Sequence, residues 1–133
     1  MKLENKVAIV TGAGRNIGES IAHTLSDEGA GVAVVDLELD RAEAVAKAIT
    51  DKGGKAIAIA ANVADEDDVK RLVKETVDGL GRIDVLVNNV AISDNQHILD
   101  ISKEDWDRVI SVTLGAPFLM GKYCAQQMVD QGD

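Results

Sequence analysis

Short apolar runs alternate with longer amphipathic stretches along the chain, and that alternation predicts its elements. Lys6–Thr11, Val32–Asp36, Ala56–Ala60 and Asp84–Asn88 read as strands; Ile17–Glu28, Leu39–Asp51, Glu66–Asp78 and a tract from Lys103 onward read as helices. The strand cores, such as Val7-Ala8-Ile9-Val10 and Val32-Ala33-Val34-Val35, are apolar at successive positions instead of every second one. Such strands are covered on both faces, the condition of a parallel sheet flanked by helices. Strand-helix units in succession therefore predict an α/β fold in one domain.

The helix boundaries have their own chemistry. Gly29 and Gly53-Gly54 follow the first and second helices, and Gly79 and Gly81 are expected after the third, where a left-handed residue ends a helix. Asp65 with Asp68, and Ser102 with Asp105, place a capping oxygen and an acid at helix starts, where free N–H groups need acceptors. These acids read as structural.

Between the first strand and helix lies Thr11-Gly12-Ala13-Gly14-Arg15-Asn16-Ile17-Gly18. Glycine lets the backbone approach a ligand closely, and the first N–H groups of the helix lack intrahelical partners, so the loop suits a phosphate. It lacks the lysine and hydroxyl residue that close a nucleoside-triphosphate loop, which argues against a kinase or ATPase. Glycines serving only a tight turn are the alternative. Asp36 shifts the balance: it ends the second strand, about 20 residues beyond the glycines, where a carboxylate accepts the hydroxyls of an adenosine ribose.

Composition narrows the classes. Hydrophobic residues make up 46% of the chain, enough for a core, and the formal net charge of −9 argues against a nucleic-acid surface. One cysteine, Cys124, excludes an internal disulfide; the N-terminus lacks a signal-peptide core, and no run is long enough to cross a bilayer. A cytoplasmic location without membrane insertion is expected. His23 and His97 lack the companions of a metal site, so no metal is expected. Ser93, Asp94 and His97 follow the fourth strand, where substrates of open α/β sheets gather.

The Thr11–Gly18 loop, Asp36, Asn62-Val63, Leu86-Val87-Asn88-Asn89-Val90-Ala91 and the tract Trp106–Phe118 together resemble the N-terminal half of a short-chain dehydrogenase/reductase. The resemblance covers essentially every residue. It implies a Rossmann-like doubly wound parallel sheet of strand order 3-2-1-4, with residues 1–133 forming its dinucleotide-binding domain. It implies an NAD(P)-dependent oxidoreductase that transfers hydride between nicotinamide and a small-molecule alcohol or ketone; a nucleotide-binding module without catalysis is the alternative. In that likeness Gly12, Arg15, Asn16, Ile17 and Gly18 form the pyrophosphate loop, Asp36 and Leu37 lie at the adenosine ribose, and Asn62 and Val63 flank adenine. Asn89, Val90 and Ala91 border the middle of the cofactor. For Asn88 and Asn89, bracing of the sheet and cofactor contact both remain open.

Two family glycines are replaced. Asn16 stands at one, and asparagine is the side chain best able to adopt a left-handed backbone. Ala91 stands at the other and adds one methyl. Asp36, followed by Leu37 and not arginine, favours NAD over NADP, because a 2′-phosphate would meet a carboxylate. At an effective dielectric near 20, unit charges about 4 Å apart repel by roughly 4 kcal/mol, and a threefold discount still leaves about tenfold discrimination. Arg15 remains within the family's reach of a 2′-phosphate.

The resemblance also assigns catalysis to a serine, a Tyr-x-x-x-Lys pair and an upstream asparagine. The only tyrosine, Tyr123, has Gln127 four positions on, and Thr113 occupies the asparagine slot. The serine, tyrosine and lysine are expected beyond Asp133, so the domain reads as truncated before its catalytic segment. The backbone carbonyl at the asparagine slot holds a relay water in the family. Pro117 has no N–H to give the Thr113 carbonyl, so the helix should break there and leave that carbonyl available. An uncovered fourth strand and apolar residues on the helix Leu114 to Val129 predict self-association into a homo-oligomer.

Overall fold

The computed structural model describes residues 1–132. Four parallel strands, β1 (Val7–Thr11), β2 (Gly31–Asp36), β3 (Lys55–Ala60) and β4 (Val85–Val87), form one sheet in the order β3-β2-β1-β4. Helices α1 (Asn16–Asp27), α2 (Leu39–Asp51) and α3 (Glu66–Leu80) alternate with them. A long helical tract follows: α4 (Lys103–Ile110), a π-helical turn (Ser111–Gly115) and α5 (Ala116–Gln131). The expected fold class and strand order are both observed.

The apolar runs do what their pattern requires. Every residue of β1 and β2 is buried, and each face of the sheet carries its own core. On one face Ile9, Val35, Leu72, Ile83 and Met120 pack beneath α3 and α5; on the other Val10, Val34, Ala22, Val45 and Ile49 pack beneath α1 and α2. Cys124 lies in the first core, where burial pushes its thiol up to about 12, so it stays protonated at neutral pH.

Helix ends follow the expected chemistry with one correction. Asp65 and Ser102 accept the backbone N–H groups of Asp68 and Asp105, each at 3.0 Å. Gly29, Gly53 and Gly81 all have positive φ. Gly79 lies inside α3: a methyl there would meet Ile57 Cδ1 at 3.1 Å, so it permits close packing of the helix on β3 and is not a stop. The fourth strand is shorter than its sequence pattern; Asp84 stands just before it, its backbone N–H bonded to Val7 O at 2.8 Å and its side chain clamping the start of β1. Its Oδ2 accepts Val7 N at 2.9 Å and Arg82 Nε at 2.8 Å, while Oδ1 accepts Arg82 Nη2 at 2.7 Å and lies 3.5 Å from Lys6 Nζ. Burial raises the Asp84 carboxyl, but the Arg82 and Val7 hydrogen bonds and the neighbouring positive charges more than offset it, leaving the group below the usual carboxylate range.

Candidate functional site

Strand order reverses between β1 and β4, and a crevice opens there beyond the C-terminal ends of the strands. A cavity of about 800 Å³ occupies it. Each strand contributes the residues that follow it: Gly12 with Arg15–Ile17 from β1, Asp36 and Leu37 from β2, Asn62 and Val63 from β3, Asn89–Ala91 from β4. Of the twelve residues expected at a cofactor, all but Gly18 line this one space. A second cavity, of about 590 Å³, lies at the opposite end of the sheet and includes Asp27, Lys52 and Leu80. There the helices present their C-terminal carbonyls, which disfavours a phosphate.

Gly18 stands behind the loop and fixes its shape. A methyl on it would sit 2.2 Å from the Gly12 carbonyl oxygen, a distance no side chain tolerates. Gly12 and Asn16 have φ of 62° and 53°, so asparagine does adopt the left-handed turn that glycine would otherwise supply. Arg15, the N-cap of α1, makes no side-chain capping bond, which leaves the first-turn N–H groups open toward the cavity that Arg15, Asn16 and Ile17 line.

Asp36 is buried and holds the loop from below: Oδ2 accepts Gly14 N and Oδ1 accepts Glu38 N, both at 3.0 Å. Leu37 beside it is 72% exposed. The Asn62 side chain accepts Ala64 N at 3.0 Å, and the Asn62 N–H is held at 2.8 Å by Asp68. That backbone bond, more than the nearby Arg71, keeps the Asp68 carboxyl below its ordinary value. Asp68, expected as a structural acid at a helix start, is therefore also a positioning residue for the cavity wall.

The two asparagines divide. Asn88 is exposed, whereas Asn89 braces the loop by donating from Nδ2 to the Gly12 carbonyl at 3.2 Å and also lines the cavity. Buried Thr11 ties the same parts together: its Oγ1 donates to Val87 O at 3.3 Å and accepts the N–H of Asn89 at 3.0 Å. Ser93, Asp94 and His97 do not line the cavity. Asp94 instead accepts from Gln96 N at 2.9 Å, and Gln96 bonds Asp105 at the start of α4.

Thr113 lies outside the lining but grips it. Its hydroxyl donates to the Ile92 carbonyl at 2.8 Å and accepts the Ile92 N–H at 3.1 Å, and Ile92 forms part of the wall. The helical tract is not broken at Pro117: the backbone stays helical at Ser111, Gly115 and Ala116, and a π turn over Ser111–Gly115, with Ala116 N–H bonded to Ser111 O, takes the place of the expected break, while Pro117 still withholds the i+4 donor from Thr113. Tyr123 is elsewhere. Its hydroxyl donates to Glu66 on α3, and Lys70 and Lys122 lie 5.6 and 5.2 Å from its ring centroid.

Sequence reasoning missed Glu38, Arg41, Arg108 and Val112, which also line the cavity. Arg41 falls on the first turn of α2 after Asp36, and Arg108 and Val112 lie one turn apart before Thr113; helical spacing from the recognised residues was the signal for both sets. Among the described residues no group of three or more His, Cys, Asp or Glu could hold a metal ion, and no helix is long and apolar enough to cross a membrane.

Comparison with known proteins agrees with this geometry. The short chain dehydrogenase family model matches residues 6–133. A 3-oxoacyl-(acyl-carrier-protein) reductase of Staphylococcus epidermidis is 44% identical over 128 residues, covering 96% of this chain and 52% of that protein. Among solved structures, a 7α-hydroxysteroid dehydrogenase in complex with NADH and 7-oxo glycochenodeoxycholic acid aligns with a TM-score of 0.94 at 32% identity, over 98% of this chain and 51% of that one. A short chain dehydrogenase from Mycobacterium avium aligns with a TM-score of 0.93 at 36% identity, over 98% and 50%. The chain thus spans about half the length of the relatives it matches. The match to the family model and the 3-2-1-4 sheet make the chain a member of the short-chain dehydrogenase/reductase family of oxidoreductases.

Proposed function

We propose that this chain is the cofactor-binding half of an NAD-dependent oxidoreductase that interconverts a small-molecule alcohol and ketone in the cytoplasm. The observation that carries the reading is the convergence of the glycine loop, Asp36, Asn62-Val63 and Asn89–Ala91 on one cavity at the switch point of the sheet. The cavity fits a dinucleotide: its loop runs through Gly12 and Asn16 in left-handed conformation into an uncapped helix N-terminus, and a buried carboxylate stands at the end of the next strand. The nicotinamide cofactor supplies the hydride when bound.

The chain's own residues bind and orient. The open N–H groups at Arg15–Ile17 face the pyrophosphate, and Asp36 accepts the ribose hydroxyls on the lone pairs that Gly14 and Glu38 leave free. Asn62 and Val63 border adenine, and Asn89–Ala91 border the middle of the cofactor. Thr113 acts through Ile92 as a positioning residue. Its carbonyl, denied the N–H of Pro117, is the acceptor for a relay water. NADH in the hydroxysteroid dehydrogenase structure supports NAD, and the names of that protein and of the 3-oxoacyl reductase support a ketone or alcohol as the class of substrate.

A second reading has its own observation: the one tyrosine is held by Glu66 away from the cavity and has no lysine four positions on, so these residues alone bind nucleotide without turnover. Purified residues 1–133 are expected to bind NADH and to leave it unoxidised in the presence of ketones. A polypeptide continuing into the serine and Tyr-x-x-x-Lys segment is expected to oxidise it. Dehydrogenase turnover by residues 1–133 alone would contradict this division, and absence of NADH binding would contradict both readings. Self-association through the exposed face of Trp106, Ile110, Leu114 and Phe118, spaced four residues apart, is part of the proposal. A stable monomer in sedimentation would count against it.

A further inference from the structure

Three of the chain's five arginines, Arg15, Arg41 and Arg108, line the cavity, and none of its nine lysines does. Against them stand Asp36 and Glu38, so within a chain of formal charge −9 this lining carries more cationic than anionic side chains, all of the cations guanidinium groups. Arg41 lies directly beside the ribose carboxylate. A methyl placed on Gly14 would be 2.6 Å from both Arg41 Cβ and Asp36 Oδ2.

The commitments of these groups differ. Each Asp36 oxygen already accepts a backbone N–H, which suits the carboxylate to a free ribose hydroxyl and leaves it no means of welcoming a phosphate. Arg41 is held only through Nε, 3.3 Å from Glu38 Oε2, in a pair whose side chains are 37 and 61% exposed. Its two terminal nitrogens have no partner among the described residues, and Arg15 makes no ion pair there. An exposed pair of this kind is weak and exchanges readily for a better anion.

We propose that the Glu38–Arg41 pair sets how strongly this site discriminates against a ribose 2′-phosphate. With Arg41 held by Glu38, a 2′-phosphate meets the Asp36 charge with part of its countercharge withheld. With Arg41 released, its guanidinium, in a cavity that Arg15 also lines, compensates the phosphate. The proposal rests on the cavity being a dinucleotide site. Its mechanism lies in side-chain charge, because the Glu38 backbone N–H that supports Asp36 survives substitution.

Calorimetric titration with 5′-AMP and adenosine 2′,5′-bisphosphate tests it. The Kd ratio of the bisphosphate to 5′-AMP is expected to fall about three- to tenfold in Glu38→Gln, to rise in Arg41→Ala, and to respond little to Glu38→Gln once Arg41 is alanine. An unchanged ratio in Glu38→Gln overturns the proposal. So does a full effect of Glu38→Gln in the Arg41→Ala background, which would assign it to general charge. Failure of the unsubstituted protein to bind either nucleotide would instead overturn the dinucleotide reading on which the proposal stands.

Discussion

The glycine-loop side of the sheet and the β4–α5 side differ in how completely they are built. Around β1 and β2 every strand residue is buried, the loop is fixed by Gly18 and Asp36, and Thr11 and Asn89 lock it to the neighbouring strand. Beyond β4 the strand is three half-buried residues, Leu99 is 94% exposed, and Leu114 and Phe118 are each 65% exposed. The side that would hold a cofactor is finished within this chain. The β4–α5 side leaves apolar surface exposed. Under the proposed function binding and turnover would separate along the sequence, and substitutions on the two sides should separate them in the test tube.

The largest effect is expected at Gly18. Alanine there drives a methyl into the Gly12 carbonyl oxygen, and the loop must open by a shift costing about 3 kcal/mol, or roughly a hundredfold in NADH affinity. NADH titration beside far-UV circular dichroism separates loss of the loop from loss of the fold, and native affinity in Gly18→Ala would remove the loop from the account.

Asp84 tests the opposite end of the sheet. Asp84→Asn weakens the bonds to Val7 and Arg82 and is expected to lower stability by about 2 kcal/mol while leaving the cavity residues in place. Because the folded carboxyl titrates below its unfolded value, its contribution is complete above the ordinary pKa of about 3.9 and disappears as pH falls through the lower folded value. Urea midpoints of the two proteins should thus differ at pH 7 and converge in strong acid. A constant difference would contradict the assignment.

Thr113 lies where the two sides meet. Thr113→Val removes both bonds to Ile92 and is expected to cost about 1 kcal/mol and to weaken NADH binding about three- to fivefold, whereas Thr113→Asn can restore the clasp. Equal affinities in all three proteins would make Thr113 a bystander. Asn16→Gly is the mildest change. Relief of the left-handed backbone and the greater freedom of an unfolded glycine nearly cancel, leaving stability within about 0.5 kcal/mol and NADH affinity within about threefold. A tenfold loss of affinity would show that the Asn16 side chain itself holds the ligand.

The finished side was readable from sequence because its signals are local. Apolar runs define β1 and β2, glycine spacing defines the loop, and Asp36 follows its strand at the expected distance. What was hidden depends on tertiary partners. Asp84 reads as an ordinary strand residue, and its side-chain clamp on Val7 and Arg82 shows only in the fold; Gly79 reads as a stop until Ile57 is found beneath it. Pro117 signals a disturbed helix, but that the tract continues through a π turn, and that Thr113 grips Ile92, come from packing. Arg41 and Glu38 stay inconspicuous on a charged helix start until the fold brings them beside Asp36.

The central claim is that the cavity at the β1–β4 switch point is an NAD site. Parallel titrations with NADH and NADPH test it most directly: the account predicts saturable binding of NADH about tenfold tighter than NADPH, the margin set by Asp36. Tighter binding of NADPH, or binding of neither, would contradict it.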